Sequence, residues 1–167
     1  MQSLNRAEFD KALDTLLLKV EESIPSEVVP DLPFMKSFPD VHDWHDFEHK
    51  IWNTGEEIRQ LVSVSKKAFN NNQIDRIINV CLDKRAKRGR QSFVLLLGRK
   101  QYCEYSDVLI SLLNDDDVAG QVIDTLCKMC ADGYVSMMTP FLNHKQTWIR
   151  NLAKKYVQKF KASDLTD

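Results

Sequence analysis

Ile77-Ile78-Asn79-Val80-Cys81-Leu82, Val108-Leu109-Ile110-Ser111-Leu112-Leu113 and Met137-Met138-Thr139-Pro140-Phe141-Leu142 can be laid in register. Apolar residues occupy the first, second, fifth and sixth places of all three, the spacing of one helical face. The segment after each stretch echoes as well. Phe93, Leu96 and Leu97 are answered by Ile123, Leu126 and Cys127, and then by Ala153, Tyr156 and Val157, in steps of 30 residues. The first stretches are offset by 31 and then 29, so the slack falls in the turn that follows each. A period of this size predicts stacked helical hairpins, no one of which buries its apolar face alone. The expected fold is all-α: a right-handed α-solenoid of three hairpins over residues 73–163, preceded by N-terminal helices and a proline-rich connector over 1–72. The whole chain, 1–167, is expected to be a single domain of about the usual size.

Leu112-Leu113-Asn114-Asp115-Asp116-Asp117-Val118, and Phe141-Leu142-Asn143 leading to Trp148-Ile149-Arg150 with Ala153 behind, resemble the turn and second helix of HEAT repeats. Pro140 inside a first helix fits that family. The resemblance covers roughly residues 74–161. The aliphatic-then-arginine step stands at Ile149-Arg150, whereas the middle repeat has Ala119-Gly120 there and the first has Gly89-Arg90. The period is shorter than the ~40 residues of HEAT units, which keeps armadillo-like or other helical hairpins open. The resemblance implies a scaffold for binding proteins, less often nucleic acid, and names no catalytic residue.

N-terminal to the repeats, Asn5 and Glu8 have capping-box spacing, and Phe9, Leu13, Leu16, Leu17, Val20 and Ile24 follow along one stripe. One amphipathic helix is expected, ending before Pro25. Pro25, Pro30, Pro33 and Pro39 make residues 25–41 an extended connector, whose Val28, Val29, Leu32, Phe34, Met35 and Phe38 are expected to lie against the body. A second helix is expected from near Asp43, with Trp44, Phe47, Ile51, Ile58, Leu61 and Val62 on its apolar face. Thr54, Gly55 and Glu57 leave open whether it is one helix or two, and the Asn70 to Asn72 run is expected to end it.

Composition agrees with a helical chain. Glycine and proline number 5 each in 167 residues, low for a turn-rich β fold, and 43% apolar residues suffice for a core. The longest unbroken aliphatic and aromatic run, Phe93 to Leu97, is far below the ~18 residues of a membrane span. The N-terminus carries acids where a signal peptide needs bases and an apolar stretch. A cytoplasmic protein with four reduced cysteines is therefore expected.

The net charge of −1 conceals a split. Residues 1–58 carry 13 acids against 5 bases, and residues 59–167 carry 11 acids against 18 bases. Such asymmetry either steers a charged partner or is neutralised inside the molecule, if the acidic helices pack on the basic remainder.

Three clusters carry chemical interest. On a helix, His42, His45 and His49 would lie within about 60° of one another, with Asp43, Asp46, Glu48 and Glu56 nearby and Trp52 at the edge. Metal ligation would need ligands from a second element, and the other histidine in the chain is His144. No metal or cofactor is expected, and the group is read as a solvated face or as a protein-binding or pH-responsive patch, with its residues taken as the candidate protein-binding set. Lys84, Arg85, Lys87, Arg88 and Arg90 place five bases in seven positions at a turn, a possible phosphate contact. The next turn is Asp115-Asp116-Asp117, so no basic stripe continues, and a solvated turn or a protein-facing patch is expected in preference to nucleic acid. Cys127 and Cys130 form a C-x-x-C, but Cys127 stands at a repeat position filled elsewhere by Leu97 and Val157, as Cys81 aligns with Leu112 and Phe141; these thiols belong in the core.

Neither a phosphate-binding glycine loop nor a nucleophile elbow nor His-Glu-x-x-His occurs, so no enzyme is expected. The expected function is non-enzymatic protein binding, in particular by a small inhibitor or immunity protein that neutralises a toxin. The acidic half suits a basic nuclease toxin. An adaptor in a larger assembly, or nucleic-acid binding through residues 84–90, is the alternative. The oligomeric state is left open.

Overall fold

In the computed structural model, which describes residues 4–161, the protein is predominantly helical and carries one small hairpin of two strands. It divides into two compact units, Met1–Phe93 and Val94–Asp167. All-α character is therefore established. No helix among the described residues is long and apolar enough to cross a membrane.

The first unit opens with α1, Arg6–Glu21, whose capping box is formed on both sides. The Asn5 side chain accepts the Glu8 N–H at 2.9 Å, and the Glu8 carboxylate accepts the Asn5 N–H at 2.8 Å. The stripe foreseen for this helix is the buried one, with Phe9, Leu13, Leu17 and Val20 fully enclosed. The connector then forms β1, Phe34–Met35, and β2, Phe38–His42, paired antiparallel with Phe34 opposite His42 and Met35 opposite Phe38. Its apolar residues do not all lie against the body. Val28 is 64% exposed, and Phe34 and Phe38 are 56% and 61% exposed because the short hairpin has no second layer to cover it.

Helix α2 runs unbroken from Asp46 to Ser65, so Thr54 and Gly55 do not divide it. Gly55 serves contact instead: a Cβ there would stand 2.0 Å from Ser92 Oγ and 2.7 Å from Ser92 Cβ. The helix ends at left-handed Lys66, before the asparagine run. Asn70 caps the next helix, α3, Asn71–Leu82, in a box with Gln73. A 3₁₀ segment, Lys84–Arg90, packs on α2, and α4, Gln91–Leu96, spans the division between the units. Ile51, Ile58, Val62, Ile77 and Phe93 join the α1 stripe as core.

In the second unit a 3₁₀ turn, Lys100–Tyr105, leads into α5, Ser106–Ile110. Helix α6, Ala119–Lys128, follows, and then α7, Val135–Met138, which tightens into a 3₁₀ segment over Thr139–Asn143. Helix α8, Thr147–Phe160, packs on α6 and α7. Gly120 admits this packing, since its Cβ would fall 1.9 Å from Cη2 of Trp148. Of the echoed positions, those of the second helices are buried except Val157, which is half-buried. Those of the first are mixed: Ile77, Cys81, Leu109, Leu112, Leu113 and Met138 are buried, while Leu82 and Met137 are exposed.

Candidate binding surface

Both charged clusters lie in the first unit, and they meet. The unit holds 15 acids and 14 bases, so most of the imbalance between residues 1–58 and the rest is neutralised within it. The N-terminal end of α2 supplies the acid and the 3₁₀ segment Lys84–Arg90 supplies the bases. Gly89 permits the approach, because any Cβ there would come within 2.9 Å of Ile51 Cβ and 3.1 Å of the Glu48 carbonyl oxygen.

Glu48 is the centre of this contact and is wholly buried. One carboxylate oxygen accepts the Arg88 backbone N–H at 3.1 Å and Arg88 Nε–H at 3.2 Å; the other accepts the His45 N–H at 2.8 Å. The Arg88 guanidinium also donates to the carbonyl oxygens of His42 at 2.7 Å and Asp43 at 2.6 Å, and lies 5.0 Å from the centre of the Trp44 ring. Both carboxylate oxygens and all three guanidinium nitrogens have a hydrogen-bond partner, which is the condition under which a charge tolerates burial. Glu48 is thereby withdrawn from the protein-facing patch to which its spacing had assigned it.

The basic cluster is likewise turned inward. Lys87, 8% exposed, donates to Asp31 at 2.5 Å, and that bond is the main cause that holds the Asp31 carboxyl below its ordinary range. Arg90 is buried and donates to the carbonyl of Lys87 at 2.7 Å. Arg85 pairs with Asp83 at 2.6 Å and reaches the Ser26 carbonyl at 3.3 Å; this pairing lowers the Asp83 pKa. Lys84 is exposed. Five bases in sequence therefore do not present five charges to a phosphate chain. Lys87 adopts φ 45°, ψ −133°, a conformation that favours glycine and costs a side-chain-bearing residue on the order of 1–3 kcal/mol. It is held by the Asp31 pair outside and by the Arg90 bond to its carbonyl inside.

The three histidines do not share a helical face, since α2 begins three residues later than its periodicity suggests. His42 belongs to β2, His45 is the residue before the first turn, and His49 alone is in the helix. His42 stacks on Phe34 with ring centres 4.0 Å apart and donates Nδ1–H to the Leu32 carbonyl at 2.5 Å. His45 donates Nε2–H to the Pro30 carbonyl at 2.9 Å. His49 is exposed and stacks on Trp44. His42 thus ties the two ends of the hairpin together and His45 fastens the connector to α2, and no group of three His, Cys, Asp or Glu among the described residues is placed to hold a metal ion. Asp43 accepts the Trp44 N–H, Asp46 is exposed in the first turn, Trp52 is half-buried, and Glu56 pairs with Arg59.

What sequence reasoning missed is the hairpin above this network. Phe34 and Phe38 stand in water on a strand pair whose base is pinned at four points: the His42 and His45 bonds, the Asp43 N–H to the Pro33 carbonyl at 2.9 Å, and the Arg88 fork. Two exposed phenylalanines flanking a turn were a visible signal in Phe34-Met35-Lys36-Ser37-Phe38, but prolines on either side favoured an extended connector. Aromatic side chains held rigidly at the surface suit protein recognition, where they bury large area at small entropic cost. Comparison of the chain with family models, with curated proteins and with solved structures returned no match.

Proposed function

We propose that this chain is a non-enzymatic protein-binding module, and within that class an inhibitor or immunity protein that caps a protein toxin. The observation that carries the reading is the exposed aromatic hairpin with Phe34 and Phe38, on a base held by four hydrogen-bonded anchors. Solvent-facing aromatics on a pre-ordered backbone are the composition of an interface centre, and the open strand edge adds backbone donors and acceptors for a partner segment. With Glu48 buried and Asp31 paired, a basic partner would be recognised by Asp43, Asp46 and the other exposed carboxylates at the rim, where charge affects capture rate more than affinity.

For residues 94–161 the finer arrangement we propose is a pair of helical hairpins stacked as in a right-handed α-solenoid. Support comes from the packing of α6 on α8, each preceded by a shorter helix against which it lies. A hairpin stack of this kind supplies a rigid support at low conformational cost.

The reading is tested with the full chain as bait in extract of its native host, beside a Phe34→Ser/Phe38→Ser variant. One stoichiometric partner that the variant fails to retain, and whose toxicity the wild type suppresses, is the expected result. Retention of the same partner by both would remove the hairpin from the interface. Many partners retained through the hairpin would favour an adaptor.

A further inference from the structure

Between Asp132 and Asp164 the sequence contains six bases and no acid, and five of those bases lie on α8 or at its end. The helix carries two opposed faces. Ile149, Ala153, Tyr156 and Phe160 are consumed by the core, and the Tyr156 hydroxyl donates to the Ala131 carbonyl. On the other side Lys154, Lys155 and Lys161 are exposed with the amides of Asn151 and Gln158, and none of the three lysines meets a carboxylate among the described residues. At 100° per residue Lys154 and Lys161 fall within about 20° of one another, roughly 10 Å apart at 1.5 Å per residue, and Arg150 extends the row by a turn, although its guanidinium already donates to the carbonyls of His144 and Lys145 and to the Thr147 hydroxyl. Trp148 shares the side of Lys155, one heptad apart, and is 47% exposed although its ring rests on Gly120.

We infer that the solvent face of α8 is a binding surface for single-stranded nucleic acid. Lysines track the phosphates, Asn151 and Gln158 donate hydrogen bonds to them, and Trp148 provides a stacking surface for a base. An anionic membrane is a poorer occupant, because the apolar face that would enter lipid is already inside the core. An acidic protein surface is also a poorer one. Lysine is depleted at protein interfaces, whereas positive charge along the backbone combined with an aromatic stacking surface is how single strands are held. Unlike Lys87, Arg88 and Arg90, these lysines are not drawn into internal pairs. The inference uses no part of the aromatic hairpin, so either can fail without the other.

The test is fluorescence anisotropy of a labelled single-stranded oligonucleotide of about 20 nucleotides, titrated with the full chain at about 50 and about 200 mM salt. Contacts from the three lysines predict an affinity loss of about 18-fold across that range, from a slope of about −0.7 per contact. Lys154→Glu/Lys155→Glu is expected to weaken binding at least ten-fold at the lower salt with an unchanged circular dichroism spectrum, while Lys84→Glu leaves it unchanged. Quenching of tryptophan emission on binding should disappear in Trp148→Phe. Three results would overturn the inference: no anisotropy change at low salt, undiminished affinity in the folded double variant, or equal binding of polyglutamate or phosphatidylserine vesicles in competition.

Discussion

Arg88 reaches Glu48 twice, through its backbone N–H and through Nε–H, so one residue satisfies a fully buried carboxylate from two directions. The pair joins the start of α2 to the 3₁₀ segment forty residues further on. Truncation at either end leaves the partner charged and enclosed, and removal of one member of a buried pair costs about 3–5 kcal/mol. Arg88→Ala should therefore lower the urea midpoint strongly. Glu48→Gln should cost less, since its amide oxygen still accepts two of the bonds. Equal midpoints for Arg88→Ala and wild type would show that the pair is not enclosed in solution.

The parts of this arrangement that were legible in the sequence are those written in local spacing. The Asn5–Glu8 box, the Phe9 to Val20 stripe and the placement of Cys81 and Cys127 in the core follow from helical period alone. The start of α2 was misjudged because Trp44 fits the apolar period, yet its ring is engaged by Arg88 from outside the helix. Spacing is equally silent about which of several carboxylates will be buried. Glu48 differs from Asp46 only in facing a segment forty residues away, and no local pattern encodes that segment's approach through Gly89. Internal neutralisation of the charge split, by contrast, was already one of the two readings of the composition.

Acid should release the connector before it unfolds the helices. Asp31 is held below the ordinary carboxyl range chiefly by its bond from Lys87, and Asp83 chiefly by its bond from Arg85. A carboxyl lowered in the folded state binds fewer protons there than when unfolded. Its contribution to stability is complete above the unfolded pKa of about 3.9 and fades as pH falls through the lower folded value. Asp31→Asn/Asp83→Asn should be less stable than wild type at pH 7, and the gap should narrow in acid and close once pH has fallen through the lowered folded values. A gap that is constant with pH would mean that neither ion pair forms.

Thiol chemistry should separate the four cysteines into two pairs. All are free; Cys81 and Cys127 are buried, and Cys103 and Cys130 are partly exposed. Burial pushes the Cys81 thiol up to about 12, which suppresses the thiolate that reagents attack. Native protein at pH 8 is expected to release two equivalents of thionitrobenzoate quickly and the other two only after denaturant is added. Rapid reaction of all four would place Cys81 and Cys127 outside the core.

Two glycines should differ in how they tolerate a methyl group, although a Cβ at either lands about equally close to a neighbour. At Gly120 the obstacle is the far end of the Trp148 side chain, at 1.9 Å, and that ring is half-exposed and able to swing away. At Gly55 the obstacles are Ser92 Oγ at 2.0 Å, Ser92 Cβ at 2.7 Å and the Phe93 ring at 2.9 Å, all in the core. A Cβ cannot leave without its backbone, so Gly55→Ala forces α2 and α4 apart. Overpacking of this kind costs about 1–3 kcal/mol, partly offset in a helix by alanine's better propensity of about 1 kcal/mol. Gly55→Ala is expected at the upper end of the range. Gly120→Ala should lie near zero, with tryptophan emission shifted to the red as the Trp148 indole enters water. The reverse order of stabilities would show that the Ser92 contact yields more readily than the packing of α8 on α6.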